Sequence, residues 1–198
     1  MKIIGLTGGI GSGKSTIAKW FSENDIPVYD SDREAKKLMN EHPEVIQKLI
    51  DLFGEEAYQN GVYNNRFVAS QVFKDKELLK KLNQIVHPAV FYHFRNWVGN
   101  QHSEFVVKEA AILFESGSFK DCDAIISVVA DEIIRIKRVE ERDGLESEQI
   151  RQRMKNQWTD EQRIELSDYV IYNNRGLEEL KSEFSELYKK LLKRFHSS

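Results

Sequence analysis

Two periods of hydrophobicity alternate along this chain. Residues 2–7 (KIIGLT) form a short apolar, β-branched run of the kind that makes a buried strand; a glycine cluster follows, and Ile17, Ala18, Trp20 and Phe21 then fall at helical spacing. The order is strand, loop, helix. Asp25–Ile26–Pro27 ends the helix, and Val28–Tyr29 opens a second strand that finishes at Asp30. From Ser31 to about His102 the pattern is helical throughout, first with Leu38, Ile46, Leu49, Ile50 and Phe53, then with Leu78, Leu79, Leu82, Ile85 and Val86, before His87–Pro88 interrupts it. Asn60–Gly61 and Asn64–Asn65 mark loops. Strand character returns at 104–109 (EFVVKE) and 124–130 (AIISVVA), and Asp131 can cap a helix over 132–142. Helices over roughly 146–157 and 160–166, a last strand at 169–172 (YVIY) and an amphipathic helix over Leu177–Phe195 complete the chain.

Five short strands alternating with helices predict an α/β fold, a parallel sheet covered on both faces. Two connections exceed a simple crossover: about 72 residues separate the second and third strands, and nearly 40 separate the fourth and fifth. The excess forms lobes at the strand C-termini, where open α/β sheets bind ligands.

Composition narrows the class. The 198 residues suit one domain with a smaller insertion, and 40% hydrophobic with 31% charged residues excludes disorder. Three prolines and eleven glycines are too few for a turn-rich all-β fold. With Lys plus Arg at 29 and Asp plus Glu at 32, the net charge of −3 supplies no cationic field for nucleic acid or anionic lipid. A single cysteine, Cys122, excludes an internal disulfide framework and a thiolate zinc site. No run of 18 apolar residues is present, and the N-terminus carries one basic residue before turning glycine-rich, so neither a membrane span nor a signal peptide is expected. These features predict a soluble cytoplasmic enzyme.

The glycine cluster carries the chemistry. Gly8–Gly9–Ile10–Gly11–Ser12–Gly13–Lys14–Ser15 fits the phosphate-loop pattern G-x-x-x-x-G-K-[ST]. Its glycines let backbone N–H groups turn inward on phosphate oxygens, and the helix starting near Gly13 points its positive end at the same anion. The expected nucleotide-binding set is Gly9, Ile10, Gly11, Ser12, Gly13, Lys14, Ser15 and Thr16, with ATP as the nucleotide. Lys14 reaches the β- and γ-phosphates, and the Ser15 hydroxyl ligates Mg²⁺. A chance glycine-rich turn is the competing reading, and the strand-before, helix-after context argues against it.

Phosphate loops serve GTPases, motor ATPases and small-molecule kinases alike. The guanine-reading N-K-x-D is absent, and Asp51–Leu52–Phe53–Gly54 matches D-x-x-G only by spelling, inside a helical pattern. Asp30–Ser31–Asp32, at the tip of the second strand, supplies carboxylates that can deprotonate an acceptor hydroxyl or hold a metal-bound water. Either aspartate can instead cap the next helix, and spacing favours neither assignment. Arg135, Arg138 and Arg142, at i, i+3 and i+7, share one helix face; Arg153 and Gln157 form an i, i+4 pair on the next helix. Residues 135–165 hold eight basic and eight acidic side chains, so the segment is no nucleic-acid patch. A movable helical pair carrying arginines over a phosphate loop closes small kinases on the γ-phosphate; a solvated face of Glu–Arg pairs is the alternative.

Together these residues resemble the dephospho-CoA kinase family along essentially the whole chain. The resemblance runs through GLTGGIGSGKS at Gly5–Ser15, Asp30–Ser31–Asp32 for the family's D-A-D, and Leu82–Asn83–Gln84–Ile85–Val86–His87–Pro88 for its L-N-x-I-x-H-P. Ala111–Ile112–Leu113–Phe114–Glu115 stands for P-L-L-F-E, Arg138–Leu145 for R-x-x-x-R-D-G-L, and Asp168 through Asn173 and Gly176 for the family's last-strand motif. Ser31, Ala111 and Ser167 depart from the family's Ala, Pro and Ala. The resemblance implies a nucleoside-monophosphate-kinase-like five-stranded parallel sheet over 1–30, 103–136 and 166–198, a helical acceptor-binding lobe over 31–102 and a lid over 137–165. It implies ATP- and Mg²⁺-dependent phosphorylation of the ribose 3′-hydroxyl of dephospho-CoA, with Asp32 as general base and Lys14 and Arg142 as catalytic phosphate ligands. Asp30, Asp32, His87, Arg138 and Arg153 are the expected substrate contacts; His87 either faces the acceptor or serves the helix break. The partners expected are these small molecules, with no nucleic acid or membrane, on a monomer or weak oligomer. A nucleoside or nucleotide kinase of the same fold is the second reading. A non-catalytic nucleotide binder is the third, and intact Lys14, Ser15 and Asp32 argue against it.

Overall fold

The computed structural model describes residues 1–195; residues 196–198, assigned to the core on sequence, lie outside the described residues. In chain order it begins with β1 (Lys2–Thr7), α1 (Lys14–Glu23) and β2 (Val28–Asp30). A helical segment follows with α2 (Ser31–Glu41), α3 (Pro43–Phe53), a hairpin of β3 (Tyr58–Gln59) and β4 (Val62–Tyr63), α4 (Asn65–Val72) and α5 (Lys76–Gly99). The chain then runs through β5 (Phe105–Glu109), β6 (Ala124–Val129), α6 (Glu132–Asp143), α7 (Ser147–Lys155), α8 (Asp160–Glu165), β7 (Tyr169–Tyr172) and α9 (Leu177–Phe195). Two compact units result: Met1–Asp30 with the chain from Gln101 onward, and Ser31–Asn100.

The first unit holds a five-stranded sheet in the order β2-β5-β1-β6-β7, all parallel. Its central strands are buried along their length, which is why they read as unbroken apolar runs rather than alternating ones. Ile4, Leu6, Phe105, Val107, Ile126 and Val128 pack against α1 and α9, where Phe21, Phe184 and Tyr188 stack edge-on and face-on at centroid distances of 5.0–6.2 Å. The register sets Asp30 beside Glu109 and Glu109 beside Leu6, so the carboxylates of β2 and β5 end at the level where β1 enters the glycine loop.

Asp131 occupies the N-cap position of α6, but its side chain caps nothing. Its N–H donates to Asn174 Oδ1 and its carboxylate accepts from Asn174 Nδ2, each at 2.8 Å, and this reciprocal pair ties the ends of β6 and β7 together.

The second unit corrects two expectations. Residues 31–102 are not helical throughout: Asn60 and Gly61 take positive φ (52° and 77°) and close the β3–β4 hairpin, the geometry an Asn-Gly turn favours. Tyr58 and Tyr63 pair across it at 5.8 Å, while Tyr58 Oη donates to Met39 O (2.6 Å) and Tyr63 N–H to Asn40 Oδ1 (2.8 Å). Nor does His87–Pro88 interrupt the helix, because α5 runs 24 residues straight through Pro88. The proline removes one N–H, leaving the turn below it one bond short, but α2, α3 and α4 all pack on α5 and outweigh that loss. Asp75 caps the start of α5 through the N–H groups of Glu77 and Leu78 (2.9 and 3.0 Å).

Candidate active site

The glycine loop lies between β1 and α1, the context the motif requires. Ser12 N–H donates to Gly9 O at 3.1 Å and Thr16 N–H to Gly13 O at 3.0 Å, so the loop curls directly into the first turn of α1. Gly13 is the N-cap residue with φ 94°, and a Cβ there would run into the Asn173 side-chain amide. Asn173 is buried at the end of β7; its Nδ2 donates to Ser12 O at 2.8 Å and its Oδ1 accepts from Arg138 at 3.1 Å. The hydroxyls of Ser12 and Thr7 are buried with no hydrogen-bond partner.

Lys14 lies against the Glu109 carboxylate in a largely buried ion pair at the end of β5. Ser15 is exposed on the first turn of α1. Asp30 is the last residue of β2, half-buried, whereas Asp32 is exposed in the first turn of α2.

The three arginines of α6 part ways. Arg135 is buried and reaches the loop, donating from Nε to Ile10 O at 2.9 Å and pairing with Asp160 at 3.1 Å. Arg138 reaches Asn173, and burial lowers its pKa. Arg142 instead makes a bidentate pair with Asp143 (2.7 and 2.8 Å) at the exposed end of the helix. That bond, joined by the charges of Arg142 and Arg153, holds the Asp143 carboxyl below its ordinary range. Arg142 therefore sits at the far end of α6 from the loop-facing Arg135, and Arg153 lies in the last turn of α7.

Further side chains complete the surroundings of the loop. Gln157 Oε1 accepts from Ile10 N–H at 3.0 Å. Arg163 is fully buried and joins Asp160 (3.2 Å) to Glu115 (3.5 Å), and Glu115 also accepts from Trp158 N–H at 2.9 Å. Glu115 thus orients an arginine. The signals available were the Arg153–Gln157 pair, the Glu115 that ends the P-L-L-F-E-like segment and the i, i+3 spacing of Asp160 and Arg163; none of them shows which partner each side chain finds. A cavity of about 730 Å³ opens beside this network, lined by Val129, Arg135, Met154, Gln157, Asp160 and Tyr172 among others.

In the second unit His87 is half-buried on α5, and burial lowers its pKa. It lines a pocket of about 430 Å³ with Lys76, Leu79, Lys80, Asn83 and Pro88. Cys122 is a thiol that burial pushes up to about 12, which makes it a poor nucleophile. Among the described residues no helix is long and apolar enough to cross a membrane.

Known proteins place this geometry. A family profile described as Dephospho-CoA kinase matches residues 2–179. A dephospho-CoA kinase of Chlorobaculum tepidum is 39% identical over 198 residues, covering 96% of this chain and 95% of its own length. One from Bacteroides fragilis is 37% identical, covering 98% and 94%. A crystal structure from Thermus thermophilus superposes with a TM-score of 0.85 at 32% identity, covering 96% of this chain and 97% of its own. The dephospho-CoA kinase structure from Campylobacter jejuni, with a TM-score of 0.71 and 21% identity over 98% of each chain, shares the fold. With the match running from β1 into α9, this chain is an enzyme of the dephospho-CoA kinase family.

Proposed function

We propose that this chain transfers the γ-phosphoryl group of ATP to the ribose 3′-hydroxyl of dephospho-CoA, releasing coenzyme A and ADP, the last step of coenzyme A biosynthesis. The observation that carries the reading is the family match over residues 2–179, headed by a phosphate loop in its strand–loop–helix setting. On this reading the loop from Gly9 to Thr16 surrounds the phosphates with backbone N–H groups other than that of Ile10, which Gln157 holds, and Lys14 leaves Glu109 to follow the γ-phosphoryl charge as it develops. The buried, unpartnered Ser12 hydroxyl suits an anionic guest, being a donor with nothing else to bond.

A divalent cation also fits. Mg²⁺ takes few protein ligands beside substrate phosphates and water, and the exposed Ser15 hydroxyl beside the loop supplies one such oxygen. When bound, the ion would supply positive charge to offset the negative charge of the phosphates. Asp32 takes the proton of the 3′-hydroxyl as that oxygen attacks, and the bond from the γ-phosphorus to the bridging oxygen breaks, leaving ADP. Asp30, His87, Arg138 and Arg153 hold the substrates. Arg142 arrives at the transferring group when the lid over 137–165 closes; its present pairing with Asp143 is exposed and weak enough to exchange. Residues 1–30, 103–136 and 166–198 are the core of this scheme, and 31–102 hold the acceptor. The reading places the protein in the cytoplasm as a monomer or weak oligomer working on small molecules, a state that light scattering checks.

An ADP-release assay run in parallel with dephospho-CoA, AMP, CMP and adenosine tests it. Turnover with dephospho-CoA at least 100-fold above the others is expected; a preference for AMP or CMP refutes it in favour of a nucleotide kinase.

A further inference from the structure

The phosphate loop is held from outside as well as built to hold from inside. Ile10, a non-glycine position of the motif, is gripped at three points. Its N–H donates to Gln157 Oε1 at 3.0 Å, and its carbonyl accepts from Arg135 Nε at 2.9 Å. Its side chain packs into the apolar cluster of Ile136, Val139 and Ile150 between α6 and α7. The two polar partners come from opposite roots of the α6–α7 pair: Arg135 from the first turn of α6, Gln157 from the residues just after α7. The guanidinium of Arg135 also occupies the space a Cβ on Gly9 would need, so that glycine admits the arginine.

The grip is itself supported. Asp160 fixes Arg135 at 3.1 Å, and the fully buried Arg163 fixes Asp160 at 3.2 Å and reaches Glu115 at 3.5 Å. A chain of alternating charge thus runs from the loop to the segment after β5. Such a chain holds each planar group in one orientation, and with it the Gly9–Ile10 side of the loop is oriented from outside by side chains.

We infer that Gln157 and Arg135 are positioning residues that set the shape of the phosphate loop through Ile10, tying the nucleotide-binding backbone to the roots of the α6–α7 pair. A loop free to rotate the peptide between Gly9 and Ile10 re-aims the donors that follow it, and binding must then order it at an entropic cost. The inference rests on the nucleotide half of the function proposed above and is independent of the acceptor.

The test uses the full chain and three variants. Gln157→Leu keeps the bulk and removes the acceptor for Ile10 N–H; Gln157→Glu keeps an acceptor there; Gln157→Ala is a second truncation should the leucine variant misfold. Calorimetric titration with MgATP, without acceptor, is expected to give a Kd about three- to tenfold weaker for the leucine and alanine variants; the glutamate variant adds a charge beside the loop, so it is compared by exchange at the Ile10 amide alone. Hydrogen exchange at the Ile10 amide rises by about tenfold in the truncations and stays slow with glutamate. In steady state the KM for ATP rises while the KM for dephospho-CoA holds, a split that general loosening of the fold does not produce. Truncation variants that bind MgATP as wild type does, or that weaken both KM values equally, overturn the inference. A wild-type protein that binds MgATP but leaves dephospho-CoA untouched refutes the acceptor assignment alone, and the binding and exchange comparisons still decide the role of Gln157.

Discussion

Asn173→Asp changes one side-chain group at the base of the phosphate loop, and the structure says what each atom loses. Asn173 is 5% exposed, and its amide works in both directions, donating to Ser12 O at 2.8 Å and accepting from Arg138 at 3.1 Å. The aspartate keeps the acceptor but presents an oxygen to the Ser12 carbonyl where a donor stood. A buried acceptor left facing another acceptor costs about 1–3 kcal/mol. The carboxylate recovers part of that, about 1 kcal/mol, through a charge-assisted bond to Arg138, whose buried Nη1 has no hydrogen-bond partner. The net loss of about 0–2 kcal/mol lowers Tm by up to about 8 °C in a chain of this size. Nucleotide binding suffers more, because the Ser12 carbonyl is released and a negative charge is set at the foot of a loop that must receive a triphosphate; the MgATP Kd rises by about tenfold or more. Asn173→Leu separates the effects, since it removes both bonds and adds no charge. Thermal denaturation should rank the leucine variant as less stable, and titration with MgATP should rank the aspartate variant as the weaker binder. Wild-type Tm and Kd in both variants would falsify the reasoning; equal Kd values in the two refute its electrostatic half.

Lys14→Ala withdraws a donor from the developing phosphoryl charge and should lower kcat/KM by about 100-fold or more, measured by ADP release on protein whose fold circular dichroism verifies. Asp32→Asn keeps shape and loses the base, so kcat falls about 10²–10⁴-fold with ATP affinity little changed; Asp30→Asn instead shifts the Mg²⁺ requirement, and a dead Asp30→Asn beside an active Asp32→Asn reverses the roles. His87 has its pKa lowered by burial from 6.5, so the unfolded chain binds the extra proton first. Its contribution to stability is whole above about pH 6.5 and is lost as pH falls toward the folded pKa, with a slope of at most ~1.4 kcal/mol per pH unit. His87→Gln should flatten that part of the Tm-versus-pH curve between pH 7 and 5, and an unchanged curve counts against it.

The sheet and the glycine loop were legible because their signals are local. Unbroken runs such as AIISVV and YVIY are what a strand buried in a parallel sheet requires, and the bounds of α9 follow from its amphipathic period. Pro88 misleads because a proline's penalty is local, whereas the packing that keeps α5 whole comes from three other helices. The Asn60–Gly61 signal was present, but two-residue strands are too short to show a period of their own. Gln157, Arg135 and Asn173 sit 147, 125 and 161 residues from the loop atoms they bond, so no window along the sequence contains both partners. Equal spacing on one helix face also said nothing of where Arg138 and Arg142 would find carbonyl or carboxylate oxygens; Asp143 captures the second simply by following it in sequence.

A phosphate loop carries an internal conflict that explains why its support comes from so far away. Its function needs successive N–H groups aimed at one point, and parallel dipoles repel until an anion arrives. Its glycines relieve steric strain but leave the loop many alternative conformations, each of which ordering must exclude. The motif can therefore encode the inner surface and cannot encode its own rigidity. Rigidity has to be applied at atoms that do not face the phosphate, and those are the ones occupied here: the N–H and carbonyl of Ile10 and the carbonyl of Ser12. The groups that hold them belong to α6, to the residues after α7 and to the end of β7, elements whose positions follow from the β6–β7 pairing and the long helical crossover between those strands. The long crossover thus does two things at once. It carries Arg142 at its far end, and at its roots it holds the loop, so a change in the roots should alter nucleotide binding before it alters Arg142.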